Sequence, residues 1–283
     1  MPTFHPLTRE ELNTALDWAR TEGWNPGLAD AEAFWAADPD GFWGMKEDGV
    51  LVGTASTVVY EGRGGFVGLF IVRPEWRGRG LGTQFWNFFI GQLKDRIGSE
   101  GGAALDGVFA MQPYYAKSGF RFTHRNLRMQ GVGGEGPVAS AIRDATAVDF
   151  DVLQQYDRRH FGAARSAFLQ YWITPPSGGR ALVWEEGGTV RGFGVIRRCE
   201  NGFKIGPLFA DNAEIAEALF QALSRQAVGE PVFLDVPECN PAAMALAERH
   251  GMTSQFGCAR MVMGNFPELP WEQIYGVTTF ELG

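Results

Sequence analysis

Apolar residues recur along this chain at helical and strand spacings in turn, and the order of those spacings comes round twice. Leu12, Ala15, Leu16 and Ala19 fall three and four apart, which predicts an amphipathic helix. Thr8 with Glu11 predicts the capping box that starts it. Asp30 is expected to cap a second helix running through Phe34, and Asp38-Pro39-Asp40-Gly41 to turn the chain. Residues 42–46 and 50–60 read as a hairpin about Asp48-Gly49. A glycine-rich stretch at 62–65 precedes an apolar strand at 66–72. Behind it Leu81, Phe85, Phe89 and Leu93 recur every four residues, the stripe of a helix that must pack on a sheet. A strand at 104–109, a short helix at 114–117, Gly119 and a strand at 120–130 close the first half.

Between 132 and 137 the chain has almost no side chain to bury, and the segment reads as a glycine-rich linker. Beyond it the order returns. Helices follow residues 146–149 and 165, Thr174-Pro175-Pro176 breaks the chain, and a hairpin joins 181–184 to 190–199 across Gly187-Gly188. A strand at 203–209 leads to a helix expected to be capped by Asp211 and Glu214, with Ile215, Leu219 and Leu223 on one face. A strand at 232–236, a helix at 240–250 and a strand at 256–263 follow. An internal repeat of a mixed α/β unit is the outcome, with a first domain at 1–131 and a second at 138–283.

At 283 residues the chain has room for two cores, and 45% hydrophobic with 20% charged residues is ordinary for a globular protein. No apolar run reaches membrane-helix length and residues 1–6 lack a signal-like pattern, so a cytoplasmic protein with no membrane partner is expected. Cys199, Cys239 and Cys258 are odd in number and widely spaced, and the four histidines are scattered; no disulfide framework and no metal site are expected. A net charge of −8 disfavours nucleic acid and is compatible with a cationic substrate.

The candidate chemistry starts at FVGLFIVRPEWRGRGLGT, residues 66–83. A strand enters a turn rich in glycine and arginine, and a helix begins at once. Backbone N–H groups of such a turn and the positive end of the helix dipole cradle an anion, glycines allow close approach, and Arg77 and Arg79 add charges suited to phosphate. A P-loop would need Lys-Ser or Lys-Thr after the last glycine, and Gly82 is followed by Thr83 and Gln84. The dinucleotide spacing G-x-G-x-x-G is absent too, since the glycines stand at 78, 80 and 82. What remains is Arg-x-x-Gly-x-Gly at Arg77, Gly80 and Gly82, which resembles the acyl-CoA-binding motif of the GCN5-related N-acetyltransferases.

That resemblance extends to both halves and implies, for each, a twisted mixed sheet flanked by helices. It implies acetyl-CoA as cofactor, its diphosphate on Arg77, Gly78, Arg79, Gly80, Leu81, Gly82 and Thr83. Its pantetheine arm would pair with main-chain groups of Phe70, Ile71 and Val72 where the central strands splay. Tyr114-Tyr115-Ala116-Lys117-Ser118-Gly119-Phe120 resembles the family's Tyr-x-x-x-Gly-Phe signature, which makes Tyr115 the general acid for the departing thiolate. A packing role for the ring, or Tyr114 in its place, stays open, and Val108 stands where the family often has Asn. For the base the sequence offers Asp106, otherwise a turn residue supporting Gly107, and Glu22. Glu22, Trp24 and Asn25 lie between the first two helices, where members of the family line the acceptor pocket; Trp24 alternatively plugs the core.

The second half resembles a degenerate copy. Residues 206–213 have neither arginine nor a glycine pair, Asp211 would repel a diphosphate, and 247–252 lack the phenol, although Asn240 is present. Arg165 and Asp157 are expected to be solvated helix charges, His160 and His250 structural. Trp271 and Tyr275 are expected to pack across a domain or chain boundary, leaving a homodimer possible. The expected activity is direct acetyl transfer to the amine of a small molecule or peptide in a ternary complex. The alternatives are a non-catalytic acyl-CoA sensor and a transferase of larger acyl or aminoacyl groups. With no cysteine in the first half, a thiol nucleophile is not expected.

Overall fold

A computed structural model describes residues 1–61, 64–176 and 178–283; Gly62 and Arg63 of the expected turn lie outside them. Strand β1 (Thr3–Pro6) leads to α1 (Arg9–Thr21), where Thr8 Oγ1 accepts from the Glu11 N–H at 3.1 Å and Glu11 Oε2 accepts from the Thr8 N–H at 3.0 Å. In α2 (Asp30–Ala37) the expected cap is not made. Asp30 is the first helical residue; its carboxylate accepts from the Gly27 N–H and pairs with Arg197. Hairpin β2 (Phe42–Glu47) and β3 (Val50–Tyr60) turns at Asp48 and Gly49, both at positive φ. Then come β4 (Gly64–Val72), α3 (Leu81–Ile97), β5 (Gly102–Val108), α4 (Gln112–Ala116) and β6 (Arg121–Val132). Leu81, Phe85, Phe89 and Leu93 are buried on the sheet-facing side of α3.

The second half runs β7 (Ile142–Asp144), α5 (Phe150–Phe161), α6 (Ser166–Trp172), β8 (Arg180–Glu186), β9 (Thr189–Arg198) and β10 (Phe203–Ala210). It continues through α7 (Ala213–Ser224), β11 (Pro231–Pro237), α8 (Pro241–Arg249), β12 (Thr253–Gly264) and β13 (Ile274–Gly276). Helix α7 is capped by Asn212, whose Oδ1 accepts from the Ile215 N–H at 3.0 Å; Asp211 instead accepts from Tyr156 and Arg159.

The two units do not close separately. All strands form one sheet in the order β1-β2-β3-β4-β5-β12-β6-β11-β10-β9-β8-β7, with β13 beside β10. One long strand of each half has crossed into the other: β12 pairs antiparallel with β5, and β6 pairs antiparallel with β11. Val132, assigned to the linker by sequence, is the last residue of β6. Gly133 is fixed to the second half through its N–H on Glu230 O and its carbonyl on the Gly229 N–H, both at 3.0 Å.

Buried ion pairs join the halves: Asp30–Arg197, Asp106–Arg260 and Arg128–Asp235. The planar guanidinium fork satisfies both oxygens of a carboxylate removed from water, which a lone charge in that setting would not tolerate. Arg165 and Asp157, expected in solvent, form a further buried pair inside the second half, 1% exposed on each side. His160 stacks on Phe209, and His250 pairs with Glu217. Tyr275 is buried in β13 within the core of the second half, while Trp271 lies against His124 of the first half, so of the two it is Trp271 that packs between the halves. Residues 274–283 are buried throughout, and the tail reaches the first half, where Tyr60 donates to Leu282 O at 2.9 Å. Among the described residues no helix is long and apolar enough to cross a membrane.

Candidate active site

A cleft opens because two parallel strands part. The β4–β5 ladder holds from Gly64↔Gly102 to Val67↔Leu105 and then stops. On its other edge β4 carries a bulge: Thr54 faces Ile71 and Ser56 faces Gly68, leaving Leu69 and Phe70 opposite Ala55. Leu69 takes φ +47°, and Thr54 Oγ1 donates to its carbonyl at 3.1 Å, which fixes the kink. Phe70, Ile71 and Val72 therefore turn away from β5, with no strand paired to that edge among the described residues. The resulting cavity is about 530 Å³ and all three residues line it. That volume suits a small-molecule site.

At the outer end of β4, Gly78 and Gly80 both adopt left-handed φ, near +76° and +77°, so the main chain is turned without side chains in the way. Gly80 is the N-cap of α3 and gives no side-chain cap. The first N–H groups of the helix, at Leu81, Gly82 and Thr83, are thus left for an anion. Gly78, Gly82 and Arg77 line the cleft. Arg77 is held in place: its Nε donates to Val72 O at 2.7 Å and its Nη2 pairs with Glu22. Arg79 departs from expectation, since its guanidinium lies over the Trp76 ring at 4.8 Å, outside the cleft wall. The Leu81 side chain is core and Thr83 points to solvent, so these two offer main-chain groups only.

Tyr115 lines the cleft and Tyr114 does not. The Tyr115 ring stacks on Trp86 with centroids 5.0 Å apart. It covers Gly107 so closely that a Cβ there would sit 2.2 Å from the ring. Burial raises its phenol above the ordinary tyrosine range, so the hydroxyl stays protonated. Tyr114 buries its hydroxyl with no partner among the described residues.

The acidic candidates are both in ion pairs. Asp106 receives two hydrogen bonds from Arg260, 2.8 and 2.7 Å, and one from Asn126 at 2.8 Å. It lines the cleft and, through these bonds, ties β12 to β5, a structural link that the sequence reading did not name. Glu22 meets Arg77 at the cleft mouth. Trp24 lines the cleft, while its carbonyl accepts from Arg128. Asn25 is outside it: at φ +51° its amide donates to Asn201 O and accepts from the Asn201 N–H, both at 3.0 Å, clamping the loop to the second half.

Sequence reasoning allowed the second half to complete the acceptor site but named none of the residues that do so. Phe256 and Cys258 arrive on β12, Phe280 and Glu281 on the tail, and all line the same cleft. No local motif marks them, because strand exchange alone puts them there. Cys258 corrects the expectation of a cysteine-free site. Burial and the nearby carboxylates of Asp106 and Asp235 keep its thiol well above the usual range, and a protonated thiol is a poor nucleophile.

A model of the Acetyltransferase (GNAT) family matches residues 9–120, and one of the Acetyltransferase (GNAT) domain matches residues 153–276. The chain is 28% identical to a holothin acyltransferase of Pseudoalteromonas sp. (strain SANK 73390), with 99% of this chain and 94% of that protein covered. It is 26% identical to an uncharacterized N-acetyltransferase of Bacillus subtilis (strain 168), covering 82% and 80%. In fold it resembles a candidate acetyltransferase of Pyrococcus horikoshii, with TM-score 0.84, 20% identity and coverage of 100% and 96%. It also resembles a tandem GNAT protein from the clavulanic acid biosynthesis pathway, with TM-score 0.63, 14% identity and coverage of 95% and 100%.

Proposed function

The chain belongs to the GCN5-related N-acetyltransferase superfamily, carries two of its domains in tandem and is an acyltransferase; from there we propose that residues 1–131 transfer an acetyl group from acetyl-CoA directly to a primary amine. Residues 138–283 complete the cleft without a coenzyme site of their own. One observation carries the reading: an unpaired strand edge, a glycine-turned helix start and a buried tyrosine line a single cavity.

The residues fit the coenzyme. Main-chain N–H groups over 78–83 would meet an anion with no Cβ at Gly78, Gly80 or Gly82 to hold it off. The edge at Phe70, Ile71 and Val72 offers amide partners to the pantetheine arm, as an added strand would use them. Acetyl-CoA, when bound, supplies the acetyl group as an activated thioester. Tyr115 keeps a proton on Oη for the leaving sulfur, and the Trp86 ring fixes where that proton is presented. In the second half Asp211 stands at the matching loop and is already shared between Tyr156 and Arg159.

The test is thiol release by the purified chain with a panel of primary amines, from acetyl-CoA and from longer acyl-CoAs. The longer donors belong there because the similar Pseudoalteromonas protein is named for acyl transfer. Tyr115→Phe is expected to lower turnover by about a hundredfold or more with coenzyme affinity kept, the range of a lost general acid. A chain that binds coenzyme but releases no thiol with any amine is a sensor, and one that binds none sinks the proposal.

A further inference from the structure

Among the described residues, five buried carboxylates each face an arginine: Asp30, Asp38, Asp106, Asp157 and Asp235. Glu281 does not. It is 3% exposed, it lines the cleft, and its Oε2 is buried with no hydrogen-bond partner among the described residues. Arg128, Arg197 and Lys204 lie near enough to feel its charge, but Arg128 is engaged by Asp235 and Arg197 by Asp30, while Lys204 donates to Trp24 O. Glu281 Oε2 therefore accepts no hydrogen bond from any of these neighbours, and a buried carboxylate oxygen without one favours a donor brought from outside the folded chain.

The location says what that partner is. The Glu281 carbonyl lies so close to Gly68 that a Cβ there would stand 1.9 Å from it. Gly68 is the residue at which β4 leaves β5, so the tail is seated at the apex of the cleft. The cleft that Glu281 lines is also walled by Trp24, Phe256, Cys258 and Phe280. The other acids of the cleft, Glu22 and Asp106, are held by Arg77 and Arg260.

We infer that Glu281 is the docking point of the acceptor, a molecule with one primary amine on an aromatic or otherwise apolar body. The inference rests on the transfer reading above and names its acceptor class. The acceptor's ammonium sits on the carboxylate and gives it one proton. An N–H bond breaks, an O–H bond forms on Glu281, the electron pair stays on nitrogen, and the proton then leaves to water in the cleft. Polycationic acceptors are disfavoured, since the other acids of the cleft are paired and a second ammonium would meet the charges of Arg128, Arg197 and Lys204 near Glu281.

Tryptamine is the probe, spermidine its polycationic counterpart, and the full chain is used throughout. Calorimetry without coenzyme reads the site apart from any transfer. Tryptamine is expected to bind, at least tenfold more tightly than to Glu281→Gln, while acetyl-CoA affinity and melting temperature stay as in the unaltered chain. Thiol release with tryptamine is expected to fall by about a hundredfold in the same variant, the size of a lost proton acceptor. Glu281→Asp, which keeps the charge one methylene back, is expected to lie between the two and serves if the Gln variant does not fold. Equal tryptamine affinity in the unaltered chain and the variants, or no affinity in any, overturns the inference. Undiminished thiol release in Glu281→Gln overturns it while leaving the transferase reading standing. Tighter binding of spermidine than of tryptamine overturns the acceptor class. Loss of acetyl-CoA binding by the unaltered chain strikes the transferase reading instead.

Discussion

A thiol in an acyl-transfer cleft invites a covalent route, and Cys258 has the position for one but not the chemistry. Its thiolate is disfavoured by burial and by two nearby carboxylates, so direct transfer is the better path. Incubation with acetyl-CoA and no acceptor is therefore expected to leave the intact mass of the chain unchanged; an acetyl adduct mapping to Cys258 would reverse that conclusion. His124 carries a second consequence of burial. Packed edge-on against Trp271 and facing Arg260, its imidazole is pushed down to about 3 from 6.5, by burial first and by the Arg260 charge second. The folded chain thus keeps it neutral while the unfolded chain takes up a proton below about 6.5. Stability is full above that pH and falls as pH drops toward 3, by about 1.4 kcal/mol per unit from this one site. His160, also buried and also lowered, adds to the same slope. Denaturant unfolding between neutral and mildly acidic pH should show the decline, and His124→Gln should remove one proton's share of it. An unchanged slope in that variant would mean that the ring is solvated.

Elements whose cause is local were legible in the sequence; those fixed at a distance were not. The capping box at Thr8, the turn at Asp48-Gly49 and the stripe of α3 follow from contacts within a few residues, and the structure has each of them. The same holds for the turn before α3, because positive φ at Gly78 and Gly80 is written into residue type. The bulge at Leu69 left no such trace: a leucine at φ +47° sits inside an apolar run that reads as an unbroken strand. Asp30 and Arg165 were misread for a related reason. Their partners, Arg197 and Asp157, make buried pairs that local charge patterning does not reveal, one of them across 167 residues of sequence. Gly68 shows how much the bulged strand depends on remote contacts. Gly68→Ala is expected to push the tail off β4, lowering stability by about 2 kcal/mol or more and removing Glu281 from the cleft apex. Thermal melting and tryptamine binding together check this; a variant unchanged in both would show that the tail yields without cost.

At the scale of the molecule the internal repeat suggests two independent domains, and the sheet contradicts independence. Strand β5 finds its neighbour in β12 and β11 finds its own in β6, so each half alone would expose a sheet edge that the intact chain pairs. Each half alone would also leave charges buried for partners that are missing: Asp106 without Arg260, Arg128 without Asp235, Asp30 without Arg197. The cleft is subject to the same condition, since its loop and tyrosine come from one half and Phe256, Cys258, Phe280 and Glu281 from the other. Cutting within the linker tests the whole arrangement. Fragments 1–136 and 137–283 are expected to aggregate or remain unfolded when produced separately. Produced together, they are expected to assemble one to one, because the strand pairs and ion pairs that join the halves lie away from the cut bond, and to recover acetyl-CoA binding. Cooperative melting of either fragment as a soluble monomer would show that a half can close its own sheet, and the shared cleft would then no longer follow from the fold.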